Sequence, residues 1–338
     1  MERRMQGDGV GATIFGCSGP ALLPGEARFI ADAQPWGFIL FRRNVETAEQ
    51  LRALCSALRA AVGREAPVFM DQEGGTVQRL RPPLARDWPD AQAQRGSARA
   101  VWLRHRLMAL ELRAVGVDGA CAPVIDVAGP DTHPFLQRRI WGTDPQRVSE
   151  LGRAAAEGLL AGGVLPVIKH LPGHGAGNAD SHHNLPRVSL PLEALVARDF
   201  VPVRALADLP LGMSAHVVYD ALDPSLPATV SAPAIAYLRG ALGFGGLLMT
   251  DDISMNALGG TMAERAARAI AAGCDIVLHC SGDLAEMEAV AGAAGSLTGE
   301  ARTRAGAALA ARKVPAAIDI AALEAEFDAL SDPAEGQA

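Results

Sequence analysis

The sequence predicts a single (β/α)8 barrel of the TIM type, on three observations. Short β-rich apolar runs alternate with helical stretches rich in Ala, Leu, Arg and Glu, eight such runs fit within the 338 residues, and most stop at a polar or glycine-rich tail. In order the runs are Ala12 to Gly16, Gly37 to Phe41, Ala66 to Met70, Gly119 to Pro123, Pro166 to Lys169, Leu211 to Ala215, Gly246 to Thr250 and Cys274 to Leu278. Helical stretches such as Ala48 to Val62, Arg99 to Val115, Pro145 to Gly162 and Thr261 to Ala272 lie between them. An open Rossmann sheet fits less well, because no G-x-G-x-x-G opens a helix after the first strand. Residues 1–315 are expected to form the barrel, and 316–338 an appended amphipathic helix, Ala321 to Leu330, with a dispensable polar tail.

Composition narrows the function. With 49% hydrophobic and 20% charged residues the chain can bury a large core. A net charge of -7, without a Lys/Arg cluster, argues against nucleic acid and anionic membranes as partners. Five widely spread cysteines in mostly apolar surroundings are expected to be reduced and structural. The first residues lack the apolar core of a signal peptide, and no run reaches the roughly 18 apolar residues of a membrane helix. The expectation is a cytoplasmic enzyme, acting as a monomer on a small molecule.

In a (β/α)8 barrel the strands' C-terminal ends converge on one mouth. The tails there are Arg42-Arg43-Asn44, Asp71-Gln72-Glu73-Gly74-Gly75, Asp126, Lys169-His170, His216 and Asp251-Asp252. The richest segment runs from Lys169-His170-Leu171-Pro172-Gly173-His174-Gly175 to Asp180-Ser181-His182-His183, and it holds four of the chain's eight histidines. Those histidines with Asp180 include ligand types that zinc prefers, but a Pro/Gly-rich loop is not the usual helical or strand spacing of a hydrolytic zinc site. No metal is therefore expected. The competing reading makes Asp180 and His182 a dyad, the carboxylate orienting one ring nitrogen while the other trades a proton near neutral pH; an Asx-type turn is the plainer alternative. Of Asp251 and Asp252, one can face a substrate as nucleophile while the other binds neighbouring amides or caps a helix. Asp71, Arg79 and Lys169 can fork hydroxyl groups, or make a structural salt bridge.

The runs Asp71-Gln72-Glu73-Gly74-Gly75-Thr76-Val77-Gln78-Arg79, Lys169 to Gly175, Asp180-Ser181-His182 and Thr250-Asp251-Asp252-Ile253-Ser254-Met255 resemble those of glycoside hydrolase family 3, in its hexosaminidase branch. The similarity runs in order from about Ala12 to Cys280. It implies a retaining barrel enzyme that needs no cofactor and removes terminal N-acetylglucosamine from cell-wall muropeptides during peptidoglycan recycling. Asp251 then matches the nucleophile, His182 the acid/base and Asp180 its orienting partner. Asp71, Arg79, Arg139, Lys169 and His170 match the positions that hold sugar hydroxyls. Departures fall at Thr76, Leu171 and the Ile140-Trp141 pair after Arg139, which leaves Arg138 as the other candidate for that role. The rivals are phosphorolysis at the same site, a metal-dependent hydrolase using the histidine loop, and a silent sugar-binding barrel. The glycines further predict that the loop carries His182 to the sugar only when substrate is bound.

Overall fold

Eight strand positions carry the sheet of the computed structural model, which describes residues 9–94, 97–130, 132–177 and 185–331. They are β1 Gly11–Phe15, β2 Pro35–Leu40, β3 Val68–Met70, β4 Gly119–Ala120, β5 in two pieces (Leu165–Pro166 and Ile168–Leu171), β6 Leu211–Ser214, β7 Leu247–Asp252 and β8 Ile276–His279. All neighbours pair in parallel. The order runs from the first piece of β5 through β4, β3, β2, β1, β8, β7 and β6 to the second piece of β5. Because Val167 alone separates those pieces in the chain, the sheet closes into a (β/α)8 barrel.

Each predicted strand is present, since a parallel strand covered on both faces must be almost continuously apolar and is readable as such. The predicted Gly119 to Pro123 run shortens to two ladder residues. Pro123 and Pro166 bring no N–H to this part of the barrel, so few ladder bonds form. The Val167 N–H instead donates to the carbonyls of both Ala120 and Ala122, each at 3.0 Å.

Helices cover the barrel at boundaries their caps explain. Thr47 accepts from the Gln50 N–H at 3.1 Å to start Ala48–Val62, and Gly63 at φ 63° ends it. Ser97 and Asp144 open Ala98–Ala114 and Pro145–Ala161 in the same way. Thr261 and Glu264 form a capping box for Met262–Ala272. The core fills both the barrel and the space under the helices; Trp36 stacks on Phe69, for example, with ring centroids 5.9 Å apart. The last helix, Ile320–Ser331, lies on Ala98–Ala114: Phe327 is buried edge-on against Trp88 at 5.4 Å, and Glu326 makes a two-bond pair with Arg99, both at 2.7 Å. Residues 332–338, expected to be a polar tail, lie outside the described residues. Among the described residues, no helix is long and apolar enough to cross a membrane.

Candidate active site

The C-terminal ends of the strands open into one cleft lined by Asp71, Arg79, Arg139, Lys169, His170, His174, Asp251 and Asp252. Ile39, Met213 and Leu278 supply apolar wall from β2, β6 and β8, and Phe41, Phe135 and Met255 come from the loops after β2, β4 and β7. Six residues expected from the sequence, Asp71, Arg79, Arg139, Lys169, His170 and Asp251, thus meet in one place. Asp180 and His182 lie outside the described residues, as do His183 and the expected shift of the loop on binding.

Asp71 follows β3 and is held by the short hairpin of Gln72–Gly74 and Val77–Gln78. Gly74 and Gly75 turn that hairpin at φ 100° and 57°, a backbone region that side chains disfavour. A Cβ on Gly75 would also stand 1.7 Å from Asp90 Oδ1. The turn returns Arg79 beside Asp71, where its Nη2 donates to Asp71 Oδ2 at 2.9 Å. Lys169 on β5 reaches Asp71 Oδ1 at 3.1 Å and Glu73 Oε1 at 2.6 Å. Glu73 in turn grips Arg139 through two bonds of 2.8 Å.

Five charges of alternating sign therefore line up as Arg79, Asp71, Lys169, Glu73 and Arg139. Burial alone would raise the Asp71 carboxyl, but Lys169 and Arg79 hold it well below the usual carboxylate range. Burial also opposes ionisation of Glu73, and Arg139 and Lys169 override it. The Lys169 ammonium, which burial would discharge, is kept protonated by Glu73 and Asp71. Asp71, Glu73 and Lys169 are thus ionised at neutral pH, and the four members that line the cleft, Arg79, Asp71, Lys169 and Arg139, offer donors or acceptors to a hydroxylated ligand.

Arg139, and not Arg138, belongs to the site. The Arg139 side chain is buried and its guanidinium sits 5.0 Å from the Phe135 ring centre, whereas Arg138 is exposed beside Asp90. Glu73 did not figure among the expected site residues. The only signal for it was its place in the Asp71-Gln72-Glu73-Gly74-Gly75 run, since its partner Lys169 is distant in sequence.

Asp251 and Asp252 end β7 and take different duties. Asp252 spends both carboxylate oxygens on neighbours: Oδ1 accepts from the Ser254 N–H at 3.1 Å and the Cys280 N–H at 3.2 Å, and Oδ2 from the Ser254 hydroxyl at 2.6 Å. Asp251 accepts only the Asp252 N–H, at Oδ1 and 2.8 Å, and among the described residues its other oxygen has no hydrogen-bond partner. Burial would raise its carboxyl; His216, His170 and Lys169 bring it below the ordinary value, so an unshared carboxylate faces the cleft. His216 stands behind this turn, donating from Nε2 to the Asp252 carbonyl at 3.0 Å, and burial pushes the pKa of its ring down.

Two other expected contributors act as struts. Asn44 bonds the Phe41 N–H and the Cys17 and Gly19 carbonyls, and Arg43 reaches the Cys17 and Cys280 carbonyls, so they tie β1, β2 and β8 together. At the root of the histidine loop, Tyr219 donates to the Gly173 carbonyl, Thr132 to that of Gly175, and the His174 N–H to Asp126 at 2.6 Å. A Cβ on Gly175 would lie 1.9 Å from the Val127 carbonyl oxygen, so only glycine lets the loop pass there.

A closed parallel barrel with ionised carboxylates and fixed cations at its C-terminal mouth, one carboxylate left free, defines an enzyme acting on a small polar substrate. Residues 24–310 match the glycosyl hydrolase family 3 N-terminal domain, and the chain belongs to this family. It is 40% identical over 288 residues to a beta-hexosaminidase of Alkalilimnicola ehrlichii, covering 80% of this chain and 81% of the relative. Among solved structures, native NagZ from Neisseria gonorrhoeae superposes with a TM-score of 0.79 at 29% identity, over 96% of this chain and 99% of that one. A family 3 beta-N-acetylglucosaminidase from Paenibacillus superposes with a TM-score of 0.85 at 28% identity, over 98% of this chain and 69% of that one.

Proposed function

We propose that this protein is a retaining β-N-acetylhexosaminidase that removes terminal non-reducing N-acetylglucosamine from muropeptide fragments during cell-wall recycling. The observation that carries the reading is the unshared Asp251 carboxylate beside a well of fixed hydroxyl-binding charges. The names borne by the relatives support the choice of sugar.

In this reading Asp71, Arg79, Arg139, Lys169 and His170 hold the sugar. Asp251 attacks the anomeric carbon while His182, oriented by Asp180, gives its proton to the leaving oxygen. His182 then takes a proton from water, which attacks the same carbon and frees Asp251. Two carboxyl groups about 5 to 5.5 Å apart usually share this work, and an imidazole takes the second role here. No metal or organic cofactor enters the proposal. We also assign the barrel to residues 1–315, with 316–338 appended, and propose a monomer in the cytoplasm. Five free cysteines, four of them buried, suit such a reducing compartment.

Incubation with a chromogenic β-N-acetylglucosaminide should release the chromophore and free sugar. Sugar 1-phosphate formed in phosphate buffer would replace hydrolysis by phosphorolysis, and loss of activity on exhaustive chelation would favour the metal-dependent rival. A His182→Ala variant should lose most rate on substrates with poor leaving groups; an equal loss on all would remove His182 from the acid role.

A further inference from the structure

Asp126 lies in the loop after β4, is wholly buried and does not itself line the cleft. Three N–H groups converge on it. Its Oδ1 accepts from the backbone of His170 at 3.3 Å and of His174 at 2.6 Å, and its Oδ2 lies 2.7 Å from His170 Nδ1. Residues 170 to 174 thus bend around one carboxylate, which joins a cleft-lining side chain to the root of the histidine loop.

The protonation of the carboxylate decides what His170 presents. Burial would raise the Asp126 carboxyl, but His170 and the His174 N–H hold it at about 2, so it is ionised at neutral pH. An ionised carboxylate only accepts, so Nδ1 must carry the proton shared with it. When the ring is neutral, Nε2 is then the nitrogen without a proton. The surrounding cations Lys169, Arg79 and Arg139 only donate, so Nε2 adds an uncharged acceptor to the carboxylates of Asp71 and Asp251 in the cleft.

We propose that Asp126 is a positioning residue that holds His170 in its Nδ1–H tautomer, so that Nε2 meets a sugar hydroxyl as a hydrogen-bond acceptor and selects for that hydroxyl's proton. The sugar contact rests on the function proposed above; the tautomer does not. His174, whose Nδ1 has no hydrogen-bond partner among the described residues and whose ring lies edge-on to His170 at 5.6 Å, belongs to the same buried layer.

Long-range 15N NMR of histidine-labelled protein reads the tautomer without substrate, with His170→Asn identifying the signal by its loss. In the wild type His170 should show Nδ1 protonated. In Asp126→Asn, the amide oxygen can keep the two backbone N–H groups while its NH2 faces the ring, so the signal should switch to Nε2 protonated. An Nε2–H ring in the wild type, or an unchanged ring in folded Asp126→Asn, overturns the proposal.

The second readout compares aryl β-N-acetylglucosaminides with their 3-, 4- and 6-deoxyfluoro analogues, because fluorine accepts but cannot donate. At one position the wild type should favour hydroxyl over fluorine in kcat/KM by about tenfold or more, the value of one hydrogen bond to a partly charged site. Asp126→Asn should shrink that ratio at this position alone. A uniform loss across all analogues would reduce Asp126 to a structural role. No hydrolysis of any analogue, with the tautomer as expected, would instead defeat the proposed function and leave the positioning role standing.

Discussion

Both ends of the barrel set aspartates against arginines, yet the two ends do different things. At the strands' N-terminal ends, Asp118 gives Oδ1 to the Val68 N–H at 2.7 Å and Oδ2 to Arg59 and Arg312. Asp275 likewise accepts the Leu248 N–H, Arg239 and Arg304. All four of these carboxylate oxygens are spent on groups of the fold. At the C-terminal mouth, Asp252 resembles them, while Asp251 keeps an oxygen unshared and Asp71 holds its cations at the edge of an open cleft. The same pairing of charges is a staple where it is closed and a working surface where it is open.

The strongest way to break this contrast is to remove the open carboxylate. Asp251→Ala should lower kcat on an aryl N-acetylglucosaminide by on the order of 10⁴ or more, with little change in Tm. Undiminished activity would end its assignment as nucleophile. At the closed end, Asp275→Ala should reverse the pattern, costing about 3 to 5 kcal/mol in urea unfolding because Arg239 and Arg304 lose a buried partner. Its kcat should stay near wild type well below the new Tm, and a selective loss of kcat would erase the division between the ends.

Glu73→Gln tests an intermediate case, since Glu73 lines no part of the cleft but holds two residues that do. It should raise KM severalfold and destabilise by about 1 to 3 kcal/mol, the cost of a weakened buried charged bond. Stability lost with KM unchanged would make Glu73 a staple only.

The smallest effect belongs to neither end. His105, inside helix Ala98–Ala114, is held by burial and by Arg104 at about 3, with its Nδ1 donating to the Val101 carbonyl at 2.8 Å. Between that value and the usual 6.5, the unfolded chain binds a proton that the folded chain lacks, so stability rises with pH there and falls on acidification. Each pH unit in the window contributes at most about 1.4 kcal/mol. His105→Gln should remove one proton from the slope of unfolding free energy against pH between 4.5 and 6, and an unchanged slope would show that His105 does not titrate as its burial requires.

Much of this was readable in the chain, for physical reasons that differ by region. Parallel strands under helices announce themselves by apolar runs, and helix Ala48–Val62 is bounded by Thr47 and Gly63, which have few other uses at those places. Asp71, Lys169, His170 and Asp251 were legible because barrel geometry gathers strand ends whatever their separation in sequence, whereas Arg139 was expected only from the family resemblance. Pairing across the mouth was not. Nothing local tells Arg139 from Arg138 until Glu73 is seen to grip one of them, and the division between Asp251 and Asp252 depends on the Cys280 amide from the next strand. Asp126 stood among the expected strand tails without a duty, because its three donors come from a strand and loop far along the chain.

The interruption of β5 at Val167 also has a mechanical side. Toward β4 the regular ladder has two pairs, Gly119 with Leu165 and Ala120 with Pro166, and a lone bridge from Val124 to Lys169, with the Val167 N–H bonded irregularly to the Ala120 and Ala122 carbonyls. On the far side, β1 meets both neighbours through three registered pairs each. A barrel closed this way has a seam, and amide hydrogens along it should exchange with deuterium sooner than those of β1 and β8. Lys169 and His170 hang from that seam. The strand beside the seam is the one that carries the loop on which proton transfer is proposed to depend.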